Sequence, residues 1–201
     1  MFSNRLLSTD AIVISPTASS NLIPSARQML KSAVPIINMK PSLIPVLGLG
    51  DFRDGGQTKL VKSDRISLQP FPSHSITAGL GIFNQATANP GADIQLFNSG
   101  KDKTVGLTDV QLAEGASVLG RGASGHAIFA VWDRDVSLPN SFVDSADRTP
   151  DCRVIFPANS SETLHEDSMF LLTRAVAWTT GPECGSQHRE PASPHLSLIH
   201  I

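Results

Sequence analysis

The side chains best suited to binding a ligand are hydroxyl, amide and amine groups that follow two short apolar runs. The runs span Asp10–Ser15 and Val34–Asn38. The polar residues are Ser15, Thr17, Ser19, Asn38 and Lys40, and His74 is expected nearby. Open α/β sheets bind ligands beyond the carboxyl ends of their strands, so these residues form the predicted ligand site. The alternative role for the same residues is hydrogen bonding within turns and helix caps.

The remaining reactive residues give no recognisable catalytic or metal-binding pattern. Cys152 and Cys184 lack the close spacing of a zinc site, and we predict no disulfide framework. Cys152 precedes a strand-like run, and the expected state is a semi-buried free thiol whose replacement by alanine leaves any activity unchanged. The histidines show no metalloprotease spacing, and the loop aspartates lack the EF-hand pattern. The sequence therefore predicts no catalytic residue, no metal and no cofactor.

A glycine-rich stretch matches the dinucleotide-binding fingerprint in its letters but not in its context. Gly120–Gly125 reads G-x-G-x-x-G, and the residues that follow, His126–Trp132, are strand-like. The fingerprint needs a helix there, because the phosphate binds at the helix N-terminus. The same stretch fails as a nucleophile elbow around Ser124, since His126 replaces the final glycine. We therefore predict a glycine turn in a β-hairpin.

The order of apolar runs favours a sheet with a parallel centre. Helix-forming residues at Pro24–Ala33 lie between the two runs named above, which is the pattern of a βαβ unit. Near the end, Arg153–Phe156 reads as a further buried strand. A helix is predicted from Ser160 to about Thr179, with Ser161 as N-cap and Gly181 and Pro182 as its stop. Between these ends, short apolar runs separated by turn residues predict a β-rich segment, with strands at Ile94–Phe97, Ala116–Leu119 and Ala127–Trp132.

Composition narrows the classes of partner. The chain has 201 residues, 40% of them hydrophobic, and a formal net charge of −2. Such a chain can bury a core, and it has no general attraction for nucleic acid or anionic membranes. No apolar stretch approaches the length of a membrane span, and the N-terminus does not have the pattern of a signal peptide. Nucleic acid and membrane are therefore not expected as partners, and a secreted parent protein stays open.

The last residues carry a different signal. Leu196–Ile201 reads LSLIHI, which resembles a translated transposase adaptor of the kind used to prepare sequencing libraries. We therefore expect the domain to span residues 1–182 and residues 183–201 to be a disordered or artefactual tail. The same reasoning predicts that the chain is a fragment of a longer protein.

Four stretches together resemble a known superfamily. They are DAIVISPTASS at Asp10–Ser20, VPIINMKPSL at Val34–Leu43, SHSITAGL at Ser73–Leu80, and RVIFP followed by FLLTRAVAWTTG at Phe170–Gly181. They resemble the class I glutamine-amidotransferase-like superfamily, in particular its ThuA-like (trehalose-utilisation-like) branch found in bacterial multidomain proteins. The chain departs from that pattern at Ser75, where the family has proline, and it lacks the strand and helix with which the family begins. No cysteine lies between Met1 and Asp151, so the amidotransferase nucleophile is absent.

The resemblance implies a three-layer, flavodoxin-like α/β fold with a β-rich inserted segment. It also implies a non-catalytic accessory or ligand-binding module within a larger bacterial protein, with a small-molecule or carbohydrate ligand and the parent's other domains as partners. Two alternatives stay open. One is a carbohydrate- or ester-directed hydrolase whose catalytic residues lie partly outside the chain, and the other is a structural interaction domain. A pocket favours the first two readings, and a flat surface favours the third.

Overall fold

A computed structural model describes most of the elements expected from the sequence. It describes residues 9–19, 33–52, 61–62, 64–69, 74–78, 93–98, 104–105, 110–122, 125–136, 151–158, 163–184 and 197–199. The strands are β1 (Ile12–Ile14), β2 (Ile36–Asn38), β3 (Gly50–Phe52), β4 (Val61–Lys62), β5 (Arg65–Leu68), β6 (Asp93–Gln95), β7 (Thr104–Val105), β8 (Val110–Leu112), β9 (Ser117–Arg121), β10 (Ala127–Trp132), β11 (Arg153–Ile155) and β12 (Ser197–Ile199). The helix is α1 (Glu166–Thr180). Within these ranges, no helix is long and apolar enough to cross a membrane.

The main sheet is mixed, and its centre is parallel as predicted. Eight strands are ordered β12-β1-β2-β11-β10-β9-β5-β6, and β1, β2 and β11 run in the same direction. All residues of these three strands are buried, and most of them are apolar, as expected of strands covered on both faces. We call the side of the sheet where these strands end the carboxyl edge, and the side where they begin the amino edge. The chain is thus broadly α/β, with a mixed sheet.

The β-rich segment extends this same sheet. From β11 outward, β10, β9, β5 and β6 each pair antiparallel with their neighbour. In β5 buried residues alternate with exposed ones, which is the pattern of a strand with one face towards water. Two small antiparallel ribbons, β3 with β8 and β4 with β7, complete the described strands. The β-rich middle of the chain therefore contributes four of the main sheet's eight strands, which form its antiparallel side, and part of its core.

The glycine stretch forms the predicted hairpin turn. β9 ends at Arg121 and β10 begins at Ala127, and the Gly122 amide donates to the His126 carbonyl at 3.0 Å. Gly125 has a φ of 80°, a conformation that favours glycine. The turn thus joins two antiparallel strands, and no helix follows it to hold a phosphate.

The helix begins later than the sequence predicted. His165, and not Ser161, is the N-cap, because its Nδ1 accepts a hydrogen bond from the Asp167 amide at 3.3 Å. Ser161 lies outside the described residues. Not all apolar residues of the helix face the sheet, since Met169 and Phe170 are 49% and 53% exposed. The buried face consists of Ser168, Leu171, Ala175, Trp178 and Thr179.

The helix crosses the sheet obliquely. At its start, the Ser168 hydroxyl donates to the Gln95 carbonyl of the edge strand β6 at 2.9 Å. After its end, Cys184 forms a disulfide with Cys152, which directly precedes the central strand β11. The helix therefore runs from the carboxyl edge, beside β6, to the amino edge, beside β11.

The structure corrects the expectation about the cysteines and describes two parts of the expected tail. Cys152 is not a free thiol, because it is bonded to Cys184 with the two Cα atoms 5.6 Å apart. The ordered fold continues past residue 182, since Pro182–Cys184 forms a 3-10 turn whose Cys184 is fully buried. Ser197–Ile199 pairs with β1 as a parallel strand. The rest of the expected tail lies outside the described residues, and the domain division stays a prediction.

Candidate functional site

The predicted ligand residues of the first two strands meet at the carboxyl edge. Ile14 and Asn38 are paired across β1 and β2, so the residues after them are neighbours. There the hydroxyls of Ser15 and Thr17 lie 2.8 Å apart, and the Thr17 amide donates to the Ser15 hydroxyl at 3.2 Å. These bonds form a local turn of the serine type. Thr17 and Ser19 are exposed at this turn.

Asn38 and Lys40 form a second turn at the same edge. The Asn38 amide donates to the Lys40 carbonyl at 3.0 Å, and its Oδ1 accepts from the Lys40 backbone amide at 3.1 Å. Asn38 is buried, and its side chain is occupied by these two bonds. The crevice beside it, which Ile155 and Phe156 also line, has a volume of about 10 Å³, room for one water molecule. The bonds seen at these two residues are those of turn chemistry.

His74 lies at the other edge of the sheet, away from the other predicted residues. Trp132, the last residue of β10, pairs with Arg153 at the start of β11, so Asp133 lies at the amino edge. The charge of Asp133 acts on His74, and the His74 ring lies 5.2 Å from the ring of Trp178 near the end of α1. The sequence placed His74 beside the carboxyl edge because it could not show that β5 runs antiparallel to β9.

A groove at this amino edge brings polar and apolar groups together. It has a volume of about 270 Å³ and is lined by Ser75, Arg174, Ala177, Trp178, Gly181, Pro182 and Glu183. The Ser75 hydroxyl donates to Glu183 Oε2 at 2.5 Å and so links the two sides of the groove. We use "the groove" for this set of residues. Most of its wall is apolar, and its polar side chains are Arg174 and the bonded pair of Ser75 and Glu183.

Arg174 has a structural position in the groove. Its Nη1 donates to the Ala78 carbonyl at 2.8 Å, and its Nη2 donates to the Ser75 carbonyl. The guanidinium also lies over the Phe170 ring at 5.7 Å from the ring centre. Arg174 therefore fixes the segment that carries His74 and Ser75 onto α1.

The electrostatics of His74 favour its neutral form. Burial lowers the pKa of His74, and the negative charges of Asp133 and Glu183 oppose that shift. Its Nδ1 accepts a hydrogen bond from the Ile76 amide at 3.3 Å, so the neutral ring carries its proton on Nε2. Because Nδ1 is occupied as an acceptor, the neutral ring acts as a hydrogen-bond donor and not as a base.

The disulfide borders one end of the groove. Asp151 accepts from the Cys152 amide at 2.8 Å, and its Oδ1 lies 3.3 Å from Cys184 Sγ. That second distance is a contact and not a hydrogen bond, since a disulfide sulfur carries no proton. The three side chains are buried and lie within 4.8 Å of one another, as metal ligands would. The disulfide uses both thiols, so this cluster has no thiolate with which to bind a metal.

Sequence reasoning missed the groove residues on α1 and on the turn after it. No motif marks Trp178 or Arg174 as a ligand-binding residue, and Glu183 falls within the expected tail. A usable signal was present, because a helix that follows one strand and returns over the sheet brings its end back towards that strand's start. Placing His74 at the correct edge also required the direction of β5 in the sheet, which no local sequence pattern indicates.

No model of a known protein family matches this chain, and no curated protein sequence matches it. The geometry of the groove and the two turns is therefore the basis for a functional proposal.

Proposed function

We propose that this domain is a non-catalytic ligand-binding module of a larger bacterial protein, and that the groove is its binding site. The observation that carries the proposal is the combination in one groove of an apolar wall with the Glu183 carboxylate and the Ser75 hydroxyl. Ligand sites of this kind pair a mainly apolar surface with a few fixed polar groups. The volume of about 270 Å³ suits a small ligand.

The groups in the groove favour a carbohydrate-type ligand. Glu183 is an exposed carboxylate and can only accept hydrogen bonds when ionised, so it selects a ligand with hydroxyl donors. Ala177 and Pro182 offer apolar surface to the C–H face of a sugar ring. A ligand hydroxyl that replaces the Ser75 hydroxyl on Glu183 keeps that carboxylate satisfied. A saccharide thus meets both kinds of surface at once.

The hydrolase alternative is less well supported by this geometry. Acyl transfer by serine needs a base that accepts the hydroxyl proton and is itself oriented by a third group. Here the Ser75 hydroxyl donates to Glu183, and Nδ1 of the neighbouring His74 is occupied by a backbone amide. The interaction-domain alternative predicts no saccharide binding, and the experiment below distinguishes it.

The finer architecture belongs to the same proposal. We infer a three-layer, flavodoxin-like arrangement in which α1 covers one face of the parallel strands. The helix predicted over Pro24–Ala33 lies outside the described residues. The complete burial of β1 and β2 supports the layered arrangement, because a strand buried on both faces needs a cover on each side. The ThuA-like resemblance is consistent with such layers and stays a proposal.

Tryptophan fluorescence offers a direct test. The chain has two tryptophans, and Trp132 is fully buried, whereas Trp178 lines the groove. We expect a panel of mono- and disaccharides, titrated into the full chain, to include ligands that change the emission in a saturable way. Trp178→Phe should abolish that change.

Substitutions of two carboxylates, one inside and one outside the groove, provide a matched comparison. Glu183→Gln should weaken binding about ten-fold or more, the usual effect of losing a hydrogen bond to a charged group. Glu166→Gln is the control, because Glu166 is an exposed carboxylate at the other end of the same helix. A panel without any saturable change, or equal weakening by both substitutions, would overturn the proposal.

A further inference from the structure

We propose that the Cys152–Cys184 disulfide positions the Glu183 side of the groove and thereby sets the groove's affinity for its ligand. This inference rests on the proposed function, because it concerns the same groove. The disulfide acts here as a positioning element, and the sheet is expected to fold without it.

One end of the bridge is attached to the rigid centre of the sheet. The Cys152 carbonyl accepts from the Ile36 amide at 3.1 Å, which links it to β2. The Cys152 amide donates to the Asp151 carboxylate at 2.8 Å. The next residue, Arg153, opens β11 and is buried. Cys152 is thus held by a β-ladder and by a buried carboxylate, so it is a fixed anchor.

The other end is attached to the segment that lines the groove. Gly181, Pro182 and Glu183 line it, and Cys184 is the next residue. Within this segment, the Gly181 amide donates to the Trp178 carbonyl at 3.2 Å and the Cys184 amide donates to the Gly181 carbonyl at 3.3 Å. Both bonds lie within the segment or join it to the end of α1, and they define its turn.

Two of the contacts of this segment reach parts of the chain that are distant in sequence. One is the disulfide, and the other is the hydrogen bond from Ser75 to Glu183. A ligand that donates hydrogen bonds to Glu183 competes with the second contact. The disulfide does not depend on the ligand, so it still holds the residue next to Glu183 against the sheet when the ligand is bound. Ordering a residue upon binding opposes affinity, so a pre-ordered Glu183 binds more tightly than a mobile one.

The test compares the full chain with the double variant Cys152→Ala/Cys184→Ala. We expect the double variant to keep its far-ultraviolet circular dichroism spectrum and to bind saccharide about ten-fold more weakly, the equivalent of ordering one more residue. A second readout needs no ligand. Acrylamide should quench the fluorescence of the double variant more strongly, because Trp178 becomes more exposed once Gly181–Cys184 is released.

Gly115→Ala serves as the matched control for general destabilisation. Gly115 lies in the turn before β9, does not line the groove, and is far in sequence from both cysteines of the disulfide. This variant should be less stable than the wild type but should show unchanged quenching and unchanged saccharide affinity. Similar changes in the control and in the double variant would mean that lost stability, and not lost positioning, explains the result.

The outcomes separate this inference from the proposed function. If no saccharide binds the wild-type chain, the proposed function fails, while quenching still reports whether the disulfide holds the groove. Unchanged quenching and affinity in the double variant would overturn the positioning role. An unfolded double variant would also overturn it, since the bridge would then be required for the fold as a whole.

Discussion

The Arg153 guanidinium donates a hydrogen bond of 2.9 Å to the carbonyl of Val34, 119 residues earlier in the chain. The same Nη1 lies within 3.1 Å of the carbonyl of Asp151 and 3.0 Å of that of Cys152. The side chain is 1% exposed. A single buried cation thus connects the start of β11 with the segment that leads into β2, at the amino edge of the sheet.

Arg153→Met is expected to destabilise the fold by about 3–5 kcal/mol, because it leaves buried carbonyls without their donor. Burial lowers the pKa of Arg153 to about 10, against an opposing effect of Asp151, so the group is still charged at neutral pH. Arg153→Lys keeps the charge but not the fork of donors, and its loss should be smaller. Urea unfolding measures the free energy of unfolding of both variants. A loss below about 1 kcal/mol for the methionine variant would contradict this role.

Two glycines with positive φ make a matched pair for backbone strain. Gly115 and Gly125 have φ values of 79° and 80°. A Cβ on Gly115 would lie 2.4 Å from Val136 Cγ1, whereas a Cβ on Gly125 would meet nothing within 4 Å. Gly125→Ala should therefore cost about 1 kcal/mol for its backbone alone. Gly115→Ala should cost about 1–3 kcal/mol more, because Val136 must move. Equal losses of stability for the two variants in thermal unfolding would show that Val136 can move away from the new Cβ without cost.

The lowered pKa of His74 predicts a loss of stability in mild acid. The unfolded chain binds a proton near the ordinary pKa of 6.5, and the folded chain binds it only at lower pH. Stability is therefore complete above pH 6.5 and falls as the pH drops below it, towards the folded-state pKa. His74→Gln should reduce the difference in melting temperature between pH 7.5 and pH 5, since glutamine does not titrate. An identical difference in both proteins would count against a neutral, buried His74.

Two truncations should differ by the contribution of the disulfide. A chain that ends at Cys184 keeps the bridge, whereas one that ends at Pro182 loses Cys184 and Glu183 with it. Both lack the pairing of Ser197–Ile199 with β1, so that loss cancels. For a bridge across 32 residues we expect the longer chain to be more stable by about 3.5 kcal/mol. Equal melting temperatures under oxidising conditions would show that the bridge contributes little.

The central strands were predictable because each is a short run of consecutive, mostly apolar residues. Ile12–Ile14, Ile36–Asn38 and Arg153–Ile155 are apolar enough to be recognised alone, and their shared sheet followed from the βαβ order. Gly120–Gly125 was also interpretable locally, since the strand-like residues after it exclude a helix. These features depend on residues that are close in sequence.

The groove was not predictable, because it depends on contacts between residues far apart in sequence. Ser75 and Glu183 are 108 residues apart, and Cys152 and Cys184 are 32 apart. No periodicity encodes such distances. The start of α1 was misplaced for a related reason, since the Ser161 hydroxyl is a better intrinsic cap than the imidazole of His165. The bridge between Phe97 and Leu164, together with the bond from the His165 amide to Leu96, sets where the chain turns into the helix.

The Cys152–Cys184 bridge also bears on the redox conditions under which the domain exists. Glutathione and thioredoxin keep most cysteine pairs reduced in the cytosol, whereas the periplasm and the cell exterior oxidise them. Both cysteines are fully buried, so once formed the bridge is shielded from small thiols. A buried, oxidised pair of this kind therefore favours an oxidising compartment for the domain.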